Sequence, residues 1–517
     1  MAGTVDARSI GPGRPELAEQ ERTNSTAHTT PMQSRRPSTT PDEDIERHQE
    51  EKKTDDDDPL VLKGKESPYN WSNRQKWLIT GLVGSVFFNT TMASSIATGA
   101  MEQYIDGFHV SKEVAVLSLS CYMIGFALGP LLWSPLSELY GRRPVFLIST
   151  PCFMLFNLGC GFAQDMPTLL VLRVFAGLFG ACPQSAAGAT ISDVFAPIER
   201  PWPMLVYSFC AFGGPVCGPW AGGFLYVSGN WRWIYYLLAI FAGLNTILQA
   251  FLLPETYTPV LRKNKAKRLR AQGYSHEQAP IEMHMTWHDI LTIYLVRPFS
   301  MLFSPRELPL IYAAAWTGWA YALLFIFFEA YPVIFSGIYG FNAGETGLCF
   351  IAFGIGICLS IPIVWYFNRM ARKVALANGG HIQPEIRLRM VAFTAPLMVL
   401  GFFWFGWTSR KEIHWIVPIL GTIPIGTAVL LSFNALAVYV AQCYHIYAAS
   451  ALGAMAFSRC LVAVFMPLFA RQMFEGLGPG WAASILGFVS LVAIPVPFFF
   501  QRWGEDIRKH SKLAIST

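Results

Sequence analysis

Charge is what this chain has least of. Of its 517 residues only 14% are Asp, Glu, Lys or Arg, against 53% hydrophobic, and the mean hydropathy is +0.36. Soluble chains carry charge on about a quarter of their positions, so the bulk of this one belongs in a membrane. Other absences narrow the function. No Gly-x-x-x-x-Gly-Lys-Ser/Thr phosphate loop occurs, which argues against a nucleotide-driven pump. None of the ten Cys forms a Cys-x-x-Cys pair, and all lie in or beside apolar runs, as small buried hydrophobes do; no metal, cofactor or disulfide framework is called for. One short His-x-x-x-x-Asp match, His284-Met285-Thr286-Trp287-His288-Asp289, lies in the 254–308 connection; a lone match of this kind is a weak signal, and a membrane enzyme such as an acyltransferase is the lesser reading beside a transporter. The first 30 residues lack an apolar core, and no cleaved signal peptide is expected.

What is there begins with an uneven charge. Residues 1–70 hold 10 Lys and Arg against 15 Asp and Glu, and the rest of the chain holds 29 against 19. Residues 1–68 are rich in Pro, Ser, Thr and charge, with the run Asp55–Asp58. Such a segment buries too little apolar surface to order itself and reads as a disordered cytoplasmic tail, open to phosphorylation. Twelve apolar runs follow, at 77–99, 114–133, 144–163, 168–190, 204–227, 233–253, 309–335, 346–367, 389–408, 414–439, 447–470 and 481–501. About 20 apolar residues cross about 30 Å of hydrocarbon, and continuous hydrophobicity favours helices over a barrel. The expected class is an all-α membrane protein of two six-helix bundles, 69–253 and 309–502, joined by a cytoplasmic linker at 254–308 and closed by a short tail at 503–517.

Lys and Arg concentrate in the even-numbered loops: Arg142, Arg143, Arg200, Arg369, Arg372, Lys373 and Arg387. The inside-positive rule then puts those loops and both termini in the cytoplasm. The linker's Arg262, Lys263, Lys265, Lys267, Arg268 and Arg270 suit either a helix on the inner leaflet or a solvated connection. Topology and anionic lipid account for the basic surplus, so no nucleic-acid partner is invoked. The sequons at Asn24, Asn70 and Asn89 fall in the tail or inside span one, where no glycosylation is expected.

A charged hairpin follows span two: Ser134-Pro135-Leu136-Ser137-Glu138-Leu139-Tyr140-Gly141-Arg142-Arg143. A degenerate copy follows span eight, where Asn368 precedes Arg372 and Lys373 by the spacing that separates Glu138 from Arg142 and Arg143. The chain reads as one membrane unit written twice. This hairpin, with Arg173 and Gly177 in span four and Gly213-Gly214-Pro215-Val216-Cys217-Gly218-Pro219-Trp220-Ala221-Gly222-Gly223 in span five, resembles the major facilitator superfamily, and within it the fungal twelve-span drug:proton antiporter branch. The loop departs from the superfamily pattern at Ser134, Glu138 and Leu139, and span five has Pro219 where the antiporter motif has its second Gly. Asn70-Trp71-Ser72, Pro254-Glu255-Thr256-Tyr257 and Phe328-Glu329-Ala330-Tyr331-Pro332 are further family-like phrases. The likeness covers about 69–510.

That resemblance implies two bundles rocking about a central cavity. Glu138, Gly141, Arg142 and Arg143, with Asp193 as the partner of Arg142, are expected to form a cytoplasmic latch; the plainer alternative is a topology-fixing basic loop. Gly214, Pro215, Gly218, Gly222 and Gly223 are expected to build a leak-proof contact with span eight, or else ordinary close packing. Charges inside spans cost at least ~2.5–3.5 kcal/mol at mid-helix. Arg173 and Glu329 are therefore expected to meet across the cavity in proton coupling, the alternative being a structural ion pair or an interfacial carboxylate; Arg459 falls on a span that supports rather than lines the cavity in the family. Asn89, Thr90, Gln184, Trp316, Trp319, Tyr321 and Asn434 are the cavity candidates, each weighed against packing. Gln442 stands where many fungal relatives have an Asp, which suits a neutral or anionic substrate better than a polycation.

The function expected is proton-coupled export of a hydrophobic organic compound, a drug, toxin or secondary metabolite, by a monomer in the plasma membrane. The alternative is a proton-coupled importer of a small nutrient; a transporter-like sensor would need more than this short tail.

Overall fold

A computed structural model of the chain describes residues 60, 62, 64–196, 199–227, 229–274, 296–377, 383–444, 447–511 and 513–514. Nearly all of the expected disordered tail, much of the expected linker and the end of the 503–517 tail lie outside them.

Every regular element among the described residues is helical. Ten helical runs are long and apolar enough to cross a membrane. The last of them, Ser450–His510, is two spans in sequence, and the apolar helix Pro201–Val227 supplies another, which makes twelve. The turn between spans eleven and twelve departs from the sequence reading, which has a loop at 471–480. The helix from Ala448 runs on to a single break at Gly478, whose φ of 74° and ψ of 160° are non-helical, and Pro479 follows at once. Glycine tolerates the positive φ that ends a helix, and proline starts the next one because its missing N–H would be unsatisfied there in any case.

Breaks occur inside spans too. Span one is helical over Asn73–Ala93, pauses at Ser94–Ser95, and continues through a tight turn at Ile96–Ala100. Span four divides at Ala181, between Met166–Gly180 and Cys182–Val194. Span seven, Leu308–Tyr331, ends in a wide turn at Pro332–Ser336. A short helix, Ala343–Leu348, precedes span eight and is held by reciprocal bonds between Asn342 and Glu345, which satisfy N–H groups that a helix start leaves free. In the linker, Thr258–Ala271 forms a basic helix, with Lys265 Nζ 2.8 Å from Glu66 Oε2.

The packing repeats itself. In the first half span one lies on five, two on four, and three on six; in the second, seven lies on eleven, eight on ten, and nine on twelve. The two halves meet along two seams that are symmetry mates, span two with eleven and span five with eight. Large apolar side chains such as Phe251, Val492 and Phe162 stand 83%, 77% and 69% exposed. On a soluble protein they would form an aggregation-prone surface; here hydrocarbon is their solvent.

Candidate functional site

The hairpin after span two is built around Glu255. Gly141 has φ 102°, a conformation open to glycine at little cost, and a methyl group there would sit 2.3 Å from Glu255 Oε2. The space that glycine leaves admits the carboxylate to the start of span three. Glu255 Oε1 accepts the backbone N–H groups of Arg142 (2.9 Å), Thr256 (3.0 Å) and Tyr257 (2.9 Å), and Oε2 accepts that of Arg143 (3.2 Å). A negative charge on free N–H groups at a helix N-terminus is favoured by both hydrogen bonding and the helix dipole. The Arg143 side chain points the other way and donates to Ala250 O, near the end of span six, at 3.0 Å.

Arg142 is buried. Its Nε lies 3.1 Å from Asp193 Oδ2, its Nη1 donates to Ser137 Oγ at 2.6 Å, and its guanidinium stacks 4.6 Å from the Tyr257 ring. Glu138 joins the group electrostatically: burial pushes the Tyr257 phenol up, Glu138 and Asp193 add to that, and Arg142 opposes it. The structure thus brings Glu138, Gly141, Arg142, Arg143 and Asp193 together. Each partner named above belongs to the first half, so this cluster ties spans two, three, four and six to one another. Glu255 stands out in the sequence only as part of a phrase; its role needs the folded hairpin.

The second half carries the counterpart. Asn368 Oδ1 accepts from Arg387 Nη1 at 2.6 Å. Glu385 receives Arg508 through Nε at 2.8 Å and Nη2 at 3.2 Å, both side chains buried. Tyr444 OH and Ser511 Oγ both donate to Glu307 Oε2, at 2.9 and 2.6 Å.

The span-five glycines divide between two neighbours, contrary to the expectation that all face span eight. Gly214, Gly218 and Gly222 recur every four residues and share one helix face. That face lies on span one: added methyl groups would fall 2.1 Å from Thr91 Oγ1, 2.0 Å from Ser95 Oγ and 2.2 Å from Ile96 O respectively. Only Gly223, a residue further round, reaches the other half, 2.3 Å from Ala343 O ahead of span eight; Gly347 returns the approach, 2.5 Å from Pro219 O. Gly213 has ordinary space, with its nearest neighbour at 3.5 Å. Proline at 219 cannot donate, which frees the carbonyl of Pro215 four residues back, and Ser95 Oγ donates to that oxygen at 2.9 Å.

The structure does not bring Arg173 to Glu329. Arg173 is fully buried, and its guanidinium is taken up by backbone: Nε donates to Ser118 O and Nη1 to Ala93 O, both at 2.9 Å, with the Tyr122 ring 4.4 Å away. Ala93 is the last residue of the first helical part of span one, so its carbonyl lacks the usual helical partner, and a cation at a helix C-terminus is well placed. Glu329 is 1% exposed and its Oε1 finds no partner. The charged groups whose fields reach it are Arg471 and Glu475, themselves paired at 2.8 Å.

The cavity candidates scatter. Asn89 turns to span six, donating to Leu238 O at 3.2 Å. Thr90 Oγ1 donates to Phe87 O within its own helix. Trp319 Nε1 donates to Ser490 Oγ of span twelve at 3.1 Å. Trp316 is buried with Nε1 unpartnered, and Asn434 is half-buried. Gln184 and Tyr321 do come to one centre, together with Arg459, which the family pattern placed on a supporting span. Arg459 lies 4.8 Å from the Tyr321 ring and 4.9 Å from Phe433. Phe212 packs edge-on against both rings, at 6.0 and 5.2 Å, and Gln184 Nε2 is 3.6 Å from Cys460 Sγ. Spans four, five, seven, ten and eleven all contribute, so both halves meet here. The signal that pointed to Arg459 was the cost of a charge at mid-span.

Comparison with known proteins places this geometry. The family profile described as Major Facilitator Superfamily matches residues 83–467. The chain is 37% identical over 445 residues to the efflux pump FUB11 of Gibberella moniliformis, covering 85% of this chain and 74% of that protein. It is 35% identical over 455 residues to the major facilitator superfamily multidrug transporter mdrA of Aspergillus fumigatus, covering 87% and 74%. Among solved structures, the proton:xylose symporter XylE superimposes with a TM-score of 0.62 at 14% identity, over 83% of this chain and 97% of that one; at that identity the likeness speaks for the fold.

Proposed function

Since this chain belongs to the major facilitator superfamily, we propose that it is a proton-coupled antiporter that exports hydrophobic organic compounds across the plasma membrane. It is a multi-pass membrane transporter, and its substrates are small molecules. The efflux relatives, at 35–37% identity over most of the chain, support the outward direction, as does the Gly-Pro pattern of span five. The two seams, two with eleven and five with eight, supply the axis about which the bundles rock.

The observation that carries the proton coupling is Glu329. A carboxyl group in span seven, 1% exposed, with an oxygen that lacks a hydrogen-bond donor, is costly to keep ionised in a membrane and invites protonation. Proton binding on one side and release on the other would alternate with substrate, and neither step needs ATP. At the basic end, the Glu255 cluster and the Glu385–Arg508 pair act as the rigid feet of each half, and release of the contacts between halves is what exposes the substrate.

The test uses inside-out vesicles. An imposed pH gradient should drive uptake of a fluorescent drug, a protonophore should abolish it, and Glu329→Gln should remove the gradient dependence while leaving drug binding. Flux unchanged by the ionophore rules out coupling. A deletion strain that accumulates less drug than its parent would indicate import.

A further inference from the structure

We propose that Arg459 is the anion-binding group of a substrate site between the two halves, and that the substrate it selects is a flat apolar carboxylate; this rests on the transporter reading above and names its substrate class. Arg173 and Arg459 are both buried within spans, and they differ in how far their donors are used. Arg173 gives Nε and Nη1 to the carbonyls of Ser118 and Ala93 and keeps only Nη2 unpartnered, whereas Arg459 has no such carbonyl among the described residues. Arg459 is 5% exposed and its Nε finds no acceptor. Among the described residues no Asp or Glu forms an ion pair with it. What surrounds the guanidinium is aromatic, Tyr321 and Phe433 with Phe212 on their edges, and the Cys460 thiol, a weak partner.

Ring faces stabilise a cation but cannot fill its hydrogen-bonding fork. A guanidinium held in this state keeps its preference for a planar, two-oxygen anion. Beside it, Gln184 is 7% exposed and its Oε1 is also without a partner, while its Nε2 reaches Cys460. A ligand that brings a carboxylate to Arg459, a hydrogen-bond donor to Gln184 and an aromatic body to Tyr321, Phe433 and Phe212 satisfies every unmet group at this centre.

The experiment measures equilibrium binding to the purified full-length protein in lipid nanodiscs. The probes are benzoate, naphthoate and anthracenecarboxylate, each beside its primary amide, which keeps the shape and removes the charge. At least one acid should bind roughly tenfold or more tightly than its amide. Arg459→Gln should erase that ratio, and Arg459→Lys should keep part of it, as a charge without the fork. Gln184→Glu, which places a fixed carboxylate beside the guanidinium, should weaken the acid by a similar factor and leave the amide unchanged; it serves also if Arg459→Gln fails to fold. Acids that all bind no more tightly than their amides overturn the proposal, and so does a ratio that survives both Arg459→Gln and Gln184→Glu. Binding is read without a gradient, so discrimination in a protein that moves no drug in vesicles would keep this site and remove the exporter, whereas gradient-driven flux of neutral drugs without discrimination would do the reverse.

Discussion

Glu385 and Arg508 form a two-bonded buried pair that mirrors, with the roles exchanged, what Glu255 does in the first half. In the first half the residue after span six brings the carboxylate, and the hairpin after span two brings the donors and the glycine that makes room, Gly141. In the second half the loop after span eight brings the carboxylate, and the end of span twelve brings both the donor, Arg508, and the glycine, Gly504, where a methyl group would sit 2.8 Å from the Glu385 side chain. The duplication has kept the joint and swapped its parts.

Breaking that joint on one side should be costly. Glu385→Gln leaves a buried guanidinium with its charge uncompensated, a loss of about 3–5 kcal/mol. The double variant Glu385→Leu with Arg508→Met should be less damaging than either single change. Thermal melting of the purified protein checks this, and a double-variant loss equal to the sum of the two single losses would show that the pair contributes little.

Gly141→Ala meets two penalties at one position, a positive φ and a methyl group 2.3 Å from Glu255 Oε2. With ψ at 169° the residue lies in a region essentially restricted to glycine, and the backbone strain alone costs about 1–3 kcal/mol. Adding Glu255→Ala removes the crowding and leaves the strain, at the expense of the bonds Glu255 makes to the hairpin. The double variant should therefore melt above Gly141→Ala if crowding dominates, and below it if the Glu255 bonds do. Melting curves of the two single variants and the double one separate these contributions.

The span-five glycines should not behave alike. Gly213→Ala has ordinary space and should transport normally, whereas Gly214→Ala and Gly218→Ala would drive a methyl group to about 2 Å from the hydroxyls of span one and should lose most drug export. Equal export by all three would refute the assignment of that face. Ser95→Ala should cost about 1 kcal/mol by leaving the Pro215 carbonyl without its donor.

The family resemblance assigns Arg173 to proton movement, and its contacts with the carbonyls of Ser118 and Ala93 put it beside the break in span one. Arg173→Met should lower thermal stability by about 1.5–3 kcal/mol, the range for hydrogen bonds to a charged group. Unchanged melting together with lost pH-driven flux would restore it to the coupling machinery.

What the sequence disclosed follows from the solvent. Hydrocarbon demands runs of about 20 apolar residues, so the number and order of the twelve spans were legible, as was the repeated hairpin, although helices such as Phe350–Ala377 run well past the apolar run at 346–367. The pairing of Arg142 with Asp193 was legible because each is a charge at a helix end with few alternatives. What was not legible depends on breaks in helices. Ala93 O becomes an acceptor for Arg173 only because span one stops there, and hydropathy does not register a two-residue pause. The four-residue spacing of Gly214, Gly218 and Gly222 defined a face without saying which neighbour it meets. Arg459 was visible as a charge in a span, yet its lack of an acidic partner among the described residues is a fact of three dimensions.

The single-residue junction at Gly478 has a practical side. Ordinary multi-span proteins offer their short connections as places for an epitope or a reporter, but here the carbonyls of one helix and the ring of Pro479 adjoin directly. An inserted tag would have to unwind a turn on each side of the junction, so labelling of that face of the cell should be attempted at the exposed Gly229, whose φ of 99° already marks a turn with open space around it.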